Sequence, residues 1–302
     1  MRVVHGGGGA VSLRQMEYLV AVAEERSFTR AAESLNVTQS ALSHQIKALE
    51  REVGGALLER LPRGVGLTPM GRAFLPHAEL AVRSAGQARR AARAAAGAEG
   101  GELHVATLHA LAVGLLPRVL ARWRREFPGV RLHVHEYTST DALREHVERG
   151  VADIAVGPRP ADWHGPVVPL GDEEIVLVVA PDDPLAGRTH PVLLPELADR
   201  AWVRCQLEPV VEGRRWLDWA CERHGFRPRT AVETQHASTA VRMAAAGVGI
   251  VAASVDVARA TAGAVTVPGD PSWRRELAVF SRVGLTGVAG RFAECCGGLV
   301  SG

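Results

Sequence analysis

Five residues in one short stretch, Gln39, Ser40, Ser43, His44 and Lys47, place hydrogen-bonding heads at the spacing of a single helix face. Such a set can do recognition chemistry. The amide of Gln39 can pair with an adenine edge, Ser43 can reach a base or a phosphate, and His44 and Lys47 suit the phosphate backbone. Leu42, Ile46 and Leu49, interleaved with them, recur at helical spacing and give the same helix an opposite face to bury. An ordinary solvated face would carry a mixture of Glu and Lys. Short polar residues beside a capped helix start point instead to insertion into a groove.

A helix so short needs a partner. Ala31, Ala32 and Leu35 supply one, their small side chains allow a close crossing, and the tight Asn36-Val37 turn sets the steep angle of a helix-turn-helix. Ser27 and Thr38 stand where side-chain oxygens cap the two helices, so Thr38 joins the DNA-contact candidates. After the pair, residues 57 to 71 alternate like a strand, break at Pro62-Arg63-Gly64 and resume at Val65, the pattern of a hairpin. A hairpin carrying Arg60 and Arg63 would form a wing whose cations meet phosphates without reading sequence.

A long helix is expected from about Pro69 to Ala96. Thr68 caps it, Pro69 suits its first turn, and Phe74, Ala78, Ala81, Ala85, Ala88, Ala92 and Ala95 form a heptad seam for a second subunit. Three glycines between Gly97 and Gly101 predict a hinge. Beyond it, strands are expected at residues 103–107, 131–136, 154–156, 175–180 and 248–253. Helices are expected at 111–126, 141–148, 216–224 and 239–246. This alternation predicts a parallel sheet in two α/β units. Ligands of open α/β sheets bind beside strand carboxyl ends. Thr107, His109, Thr138, Ser139, His236 and Ser238 stand at such ends, ahead of helix N-termini that attract anions, and Arg204 could add a charge from the second unit. Thr138, Ser139 and Ser238 can equally serve as simple helix caps.

From Leu13 to Gly71, and more loosely to about Val283, the chain resembles the LysR-type transcriptional regulators. The motifs are LRQMEYLVAVAEERSFTRAAESLNVTQSALSHQIKALE, the wing ending RGVGLTPMG, and GELHVATLHALAVGLLPRVLARWRREFPGVRLHVHE closed by GVADIAVGP. The resemblance implies an α/β chain overall. Its parts would be a winged helix-turn-helix at 13–71, a linker and dimerisation helix at 69–98, and an effector-binding domain at 99–302 resembling periplasmic binding proteins. One subdomain of the latter would take about 101–164 and 265–302, the other about 168–262. It further implies a homodimer or dimer of dimers on interrupted palindromic double-stranded DNA, a small-molecule effector and contact with RNA polymerase. His44 stands where the family often has arginine, and Gly66 where it has a charged or polar wing tip. Operator preference is therefore this chain's own.

Composition agrees. At 302 residues and 47% hydrophobic content the chain can bury two or three domain-sized cores. The first hundred residues carry thirteen basic and nine acidic side chains, while the remainder carries a small acidic excess, so the positive charge lies with the helix-turn-helix. No run spans a membrane and residues 1–12 lack a signal-peptide core, which predicts a cytoplasmic protein with a flexible amino-terminal extension. The missing leader speaks against a periplasmic solute-binding role. No nucleophile elbow, phosphate loop or dinucleotide fingerprint is present, so no enzyme and no cofactor is expected. Cys205, Cys221, Cys295 and Cys296 lack metal-finger spacing and read as reduced thiols, with Cys205 or Cys221 the candidates in an alternative redox-sensing regulator. His133 and His135 share a strand face that His104 could join, but no acidic or thiol ligand is spaced to complete a shell, so no metal is assigned. A DNA-binding architectural protein that senses nothing is the remaining alternative.

Overall fold

The Ser12 amide donates to Gln15 Oε1 at 2.7 Å and the Gln15 amide to Ser12 Oγ at 3.2 Å, a reciprocal cap that starts helix α1 (Leu13–Glu25). Ser12 thus belongs to the folded unit and not to the expected extension, and α1 is a helix beyond those expected from the sequence. The computed structural model describes residues 11–62, 64–95, 101–205, 208, 210–211, 214–270 and 273–297, and the chain divides into two units at Arg89/Arg90.

In the first unit, α1 is followed by α2 (Phe28–Ser34), α3 (Gln39–Val53), the hairpin strands β1 (Leu58–Arg60) and β2 (Val65–Leu67), and α4 (Pro69–Ala95), whose last residues cross into the second unit. Tyr18, Leu19 and Val22 of α1 meet Ala31, Ala32, Leu42, Ile46, Leu49 and Leu57 in one core. Full burial of each large aliphatic side chain stabilises by roughly 1.5–3 kcal/mol. Between α2 and α3 the backbone of Asn36 takes φ +52°, a left-handed conformation that asparagine tolerates, and the Val37 amide closes on the Ala32 carbonyl at 2.9 Å. Ala78 and Phe74 pack into this same core, so the first part of the expected α4 seam serves its own unit.

The second unit contains β3 (Glu102–Leu108), α5 (His109–Gly114), α6 (Leu116–Glu126), β4 (Arg131–Tyr137), α7 (Thr140–Glu148), β5 (Ile154–Pro158), β6 (Val167–Val179), β7 (Val192–Leu193), β8 (Ala201–Cys205), β9 (Val210–Val211), β10 (Arg214–Arg215), α8 (Trp216–Arg223), β11 (Arg229–Thr234), α9 (Ala237–Ala245), β12 (Val251–Ser254), α10 (Val255–Arg259), β13 (Val265–Val267), β14 (Gly269–Asp270), β15 (Trp273–Phe280) and α11 (Gly287–Gly297). The principal sheet runs β12-β6-β15-β5-β3-β4, with β13 also on β6. In this sheet β3 pairs in parallel with β4 and with β5, whereas β15 is antiparallel to both β5 and β6, so the sheet is mixed and not parallel throughout; β8 and β11 of the second lobe form a separate parallel pair.

The reason is the length of β6. It starts at Val167, eight residues before the expected strand, and its first half pairs with β15 while its second half also receives β12 and β13. Two long antiparallel strands thus run past both α/β lobes. The expected helix over 111–126 is two helices, because Pro117 in the first turn of α6 has no amide to continue the α5 ladder. The last expected strand begins at Val251, three residues late. Trp123, stacked on Phe127 and edge-on to Phe292 of α11, anchors the first lobe, while Trp202, Leu217 and Cys221 centre the core of the second.

Candidate nucleic-acid interface and ligand cleft

Thr38 starts α3 by accepting from the Ala41 amide at 3.2 Å, and its hydroxyl lies 3.1 Å from Ser40 Oγ. Gln39, Ser40, His44 and Lys47 are exposed and Ser43 is half-buried, while Leu42, Ile46 and Leu49 face inward. The polar face inferred from spacing is therefore the free face of the helix. An open groove beside it is lined by His44, Lys47, Glu50, Arg51 and the Gly54-Gly55 turn.

The wing is joined to α3 by a residue that the sequence reading missed. Glu50 Oε1 accepts from the amides of both Leu57 and Leu58, at 2.9 and 3.1 Å, and so fixes the start of β1 against the recognition helix. Spacing alone gave no sign of it, since a glutamate near a helix end is ordinary. At the wing tip Gly64 has φ +92°, and a Cβ there would lie 2.7 Å from the Arg26 carbonyl, which accepts the Val65 amide. Arg60 is exposed on β1; Arg63 lies outside the described residues. Glu50→Gln keeps one acceptor but removes the charge, and should weaken DNA binding modestly, by about threefold to tenfold given the ~1 kcal/mol scale of the bonds weakened. An unchanged affinity in a fluorescence-anisotropy titration would show that the wing needs no such brace.

In the second unit the seven ligand candidates divide. His109, His236 and Ser238 come together: His109 Nε2 lies 3.2 Å from Ser238 Oγ, its Nδ1 lies 2.6 Å from Glu136 Oε2, and its ring is 4.4 Å from that of His236. Ser139 caps α7 through the Ala142 amide at 3.1 Å and also lines a cleft of about 670 Å³, with half-buried Thr138 beside it in sequence. Thr107 is not on offer to a ligand. It is wholly buried, and its hydroxyl donates to the Val156 carbonyl at 2.9 Å between β3 and β5.

Arg204 also departs from expectation. Its guanidinium, 6% exposed, donates to both oxygens of Glu208 and both of Asp218 at 2.6–2.9 Å. Burial works against its charge, but the two carboxylates more than offset that and hold its pKa above the ordinary arginine value. It is a structural cation and leaves no unpaired charge for an anion.

The cleft beside Ser139 is lined by Asp141, Arg144, Arg159, Arg275, Glu276 and Phe280 among others. Glu208 and Arg275 also line an adjoining, more apolar cavity of about 210 Å³ containing Trp202, Trp216, Trp273 and the alanines next to His109 and His236. Arg144 and Arg159 are roughly half-exposed, the first 3.8 Å from Glu148 and the second 2.9 Å from Glu276. Arg275 pairs with the buried Glu173 directly across the β6/β15 ladder. These three arginines escaped the sequence reading, because only the β15 register brings residue 275 to the hinge strands.

A wing-bearing helix-turn-helix with a free polar helix face, and a two-lobed α/β unit with a cleft against its hinge strands, define a DNA-binding transcriptional regulator with an effector-binding domain. The chain belongs to the LysR-type family: residues 13–72 match the bacterial regulatory helix-turn-helix protein, lysR family, and residues 96–298 match the LysR substrate binding domain. It is 31% identical over 245 residues to the HTH-type transcriptional regulator AlsR of Bacillus subtilis (strain 168), covering 80% of this chain and 79% of that protein. A probable hydrogen peroxide-inducible genes activator of Mycobacterium avium is 36% identical over 237 residues, with 76% and 74% covered. Among solved structures, full-length CbnR complexed with its target DNA superposes with TM-score 0.69 at 24% identity, covering 94% of this chain and 98% of that one. These relatives are regulators and not enzymes. No described helix is long and apolar enough to cross a membrane.

Proposed function

We propose that the protein reads an interrupted palindromic operator through α3 of two paired subunits, and that a small anionic metabolite bound in the cleft beside Ser139 changes how those helices meet DNA. The observation that carries the reading of α3 is its free face of Gln39, Ser40, His44 and Lys47 above a fully buried aliphatic stripe. Pairing is supported by the small residues of α4 beyond Ala78, which allow close helix approach. Contact with RNA polymerase follows from the family's role.

Two features support an anion. The first amides of α7 beyond the one taken by Ser139 have no partner within the helix, and Arg144 and Arg159 stand in the same cleft with part of their surface in solvent. A ligand can act only by preferring one arrangement of the protein over another. A thermal-shift screen of carboxylate and phosphate metabolites should therefore give a concentration-dependent rise in melting temperature that Arg144→Ala removes. A uniform lack of response would favour an architectural protein that senses nothing.

On DNA, Gln39→Ala should lower affinity for the operator by about tenfold or more and leave random DNA nearly unaffected, as expected for a lost base contact. Lys47→Ala should weaken both alike and reduce the salt slope by about one. Equal losses for the two variants on both DNAs would refute the division of labour.

The peroxide-responsive relative raises a second reading, a thiol sensor. The thiols speak against it: all four are buried, and burial pushes Cys221 and Cys296 up to about 12 and raises Cys295 as well. A sensor needs an accessible thiolate. Native protein should therefore resist iodoacetamide at these three cysteines and react fully once denatured; rapid native labelling of Cys221 would reopen the redox reading.

A further inference from the structure

A second ligand site lies away from the cleft, at the other end of the strands that form it. Strands β3 and β4 run parallel with Glu102 opposite Arg131, His104 opposite His133, and Ala106 opposite His135. Alternation therefore gathers Glu102 and His104 from one strand, and His133 and His135 from the next, on one face of the sheet. The rings of His104 and His133 stack with centroids 4.5 Å apart, and one ligand atom from each of Glu102, His104 and His133 falls within 4.8 Å of the other two. His133 Nε2 is shielded from solvent yet has no hydrogen-bond partner, while lying 3.9 Å from Glu102 Oε1. An orphaned imidazole nitrogen aimed near a carboxylate is what a cation would satisfy.

We infer that Glu102, His104 and His133 form a binding site for a divalent transition metal of the zinc class, with His135 orienting His104 from behind. Two imidazoles and a carboxylate suit zinc, cobalt or nickel and are a poor match for magnesium or calcium, which take all-oxygen shells. The supporting bond is already formed: His104 Nδ1 and His135 Nε2 lie 3.0 Å apart. Donation from His104 Nδ1 to His135 leaves His104 Nε2 as the free ligand atom, the tautomer control common to metal-bound histidines. Drawing the three ligand atoms in to the separation of about 3.3 Å that metal–nitrogen bonds of 2.0–2.1 Å require asks mainly for rotation of exposed Glu102, which must leave Arg131, now 3.0 Å away. Glu102 is the acidic ligand that a search of β4 and its neighbours by histidine spacing alone overlooks, two residues before His104 on the same face.

The site stands apart from the proposed effector cleft, so the two can be tested independently. Untagged full-length protein, stripped with a chelator and dialysed, is titrated with zinc chloride by calorimetry and with cobalt chloride by visible absorption. The expected result is one zinc per chain at micromolar affinity, a cobalt d–d spectrum without thiolate-to-cobalt charge transfer, and a zinc-dependent rise in melting temperature. Glu102→Gln, at an exposed position that tolerates change, should weaken zinc binding at least tenfold, His104→Asn with His133→Asn should abolish it, and His190→Ala should leave it intact. Circular dichroism verifies that each variant folds. Unaltered stoichiometry and affinity in Glu102→Gln and in the folded double variant, a thiolate charge-transfer band, or no binding at 100-fold excess zinc would each overturn the assignment.

Discussion

Replacing Arg204 by methionine will lower the stability of the second unit by about 3–5 kcal/mol, the range seen when one partner of a buried ion pair is removed. The cause is local. Glu208, its side chain 10% exposed, gives both oxygens to Arg204, and the substitution leaves it with Arg215 alone, 2.9 Å away. Asp218 loses both of its bonds but is 42% exposed and can turn to water, so most of the cost falls on Glu208. Arg204→Lys should recover only part of the loss, since an ammonium cannot span two carboxylates as the guanidinium fork does. Neutralising the acids together with the arginine, as Arg204→Met, Glu208→Gln and Asp218→Asn, should bring stability back toward that of the parent. Urea unfolding followed by the tryptophans of the second unit measures all three. If Arg204→Met proved neutral for folding while abolishing ligand-induced stabilisation, Arg204 would be the ligand contact that its position in the sequence suggested.

Gly71→Ala will disrupt the junction of wing and linker helix. A Cβ at Gly71 would stand 2.0 Å from the Leu57 carbonyl oxygen, and that carbonyl cannot withdraw freely. It accepts the Thr68 amide at 3.0 Å, and the Leu57 amide is itself held by Glu50. Relief would require β1, Thr68 and the first turn of α4 to shift together, although Thr68 Oγ1 accepts the Gly71 amide and donates to the Ala56 carbonyl. Overpacking typically costs about 1–3 kcal/mol and occasionally more; with this carbonyl pinned the upper end is expected, which for a unit of this size corresponds to a fall of roughly 10–20 °C in melting temperature. Differential scanning calorimetry should show the loss in the transition of the first unit alone, accompanied by at least a hundredfold loss of operator affinity. A variant that melts and binds like the parent would mean that the wing is not fixed by this crossing.

The parts legible in the sequence are those whose determinants lie close together along the chain. Ala31, Ala32 and Leu35 meet Leu42, Ile46 and Leu49 across the single turn at Asn36, and Ser27, Thr38 and Ser139 all cap the helices that follow them. The cleft was harder to see because its walls depend on register. Arg275 meets Glu173 across 102 residues, and no periodicity announces that β6 runs on from Val167 to serve both lobes. Two misplacements could have been avoided. Leu103, Val105 and Thr107 alternate on one face of β3, so the pattern that marks the strand also turns Thr107 inward. Arg204 sits four residues from Glu208 and fourteen from Asp218, near enough to suggest partners before a ligand. His109, Ser238 and His236 follow strands in the sequence pattern, but only the fold shows that they touch one another.

The central claim, that the exposed face of α3 reads bases, is tested most directly by specificity. Genomic fragments selected by the purified full-length protein should compete at least a thousandfold better than scrambled fragments of equal length at physiological salt, with purine N7 atoms protected from methylation in half-sites about one helical turn apart or a multiple of it. A competition ratio near one, with protection confined to the phosphate backbone, would contradict the account.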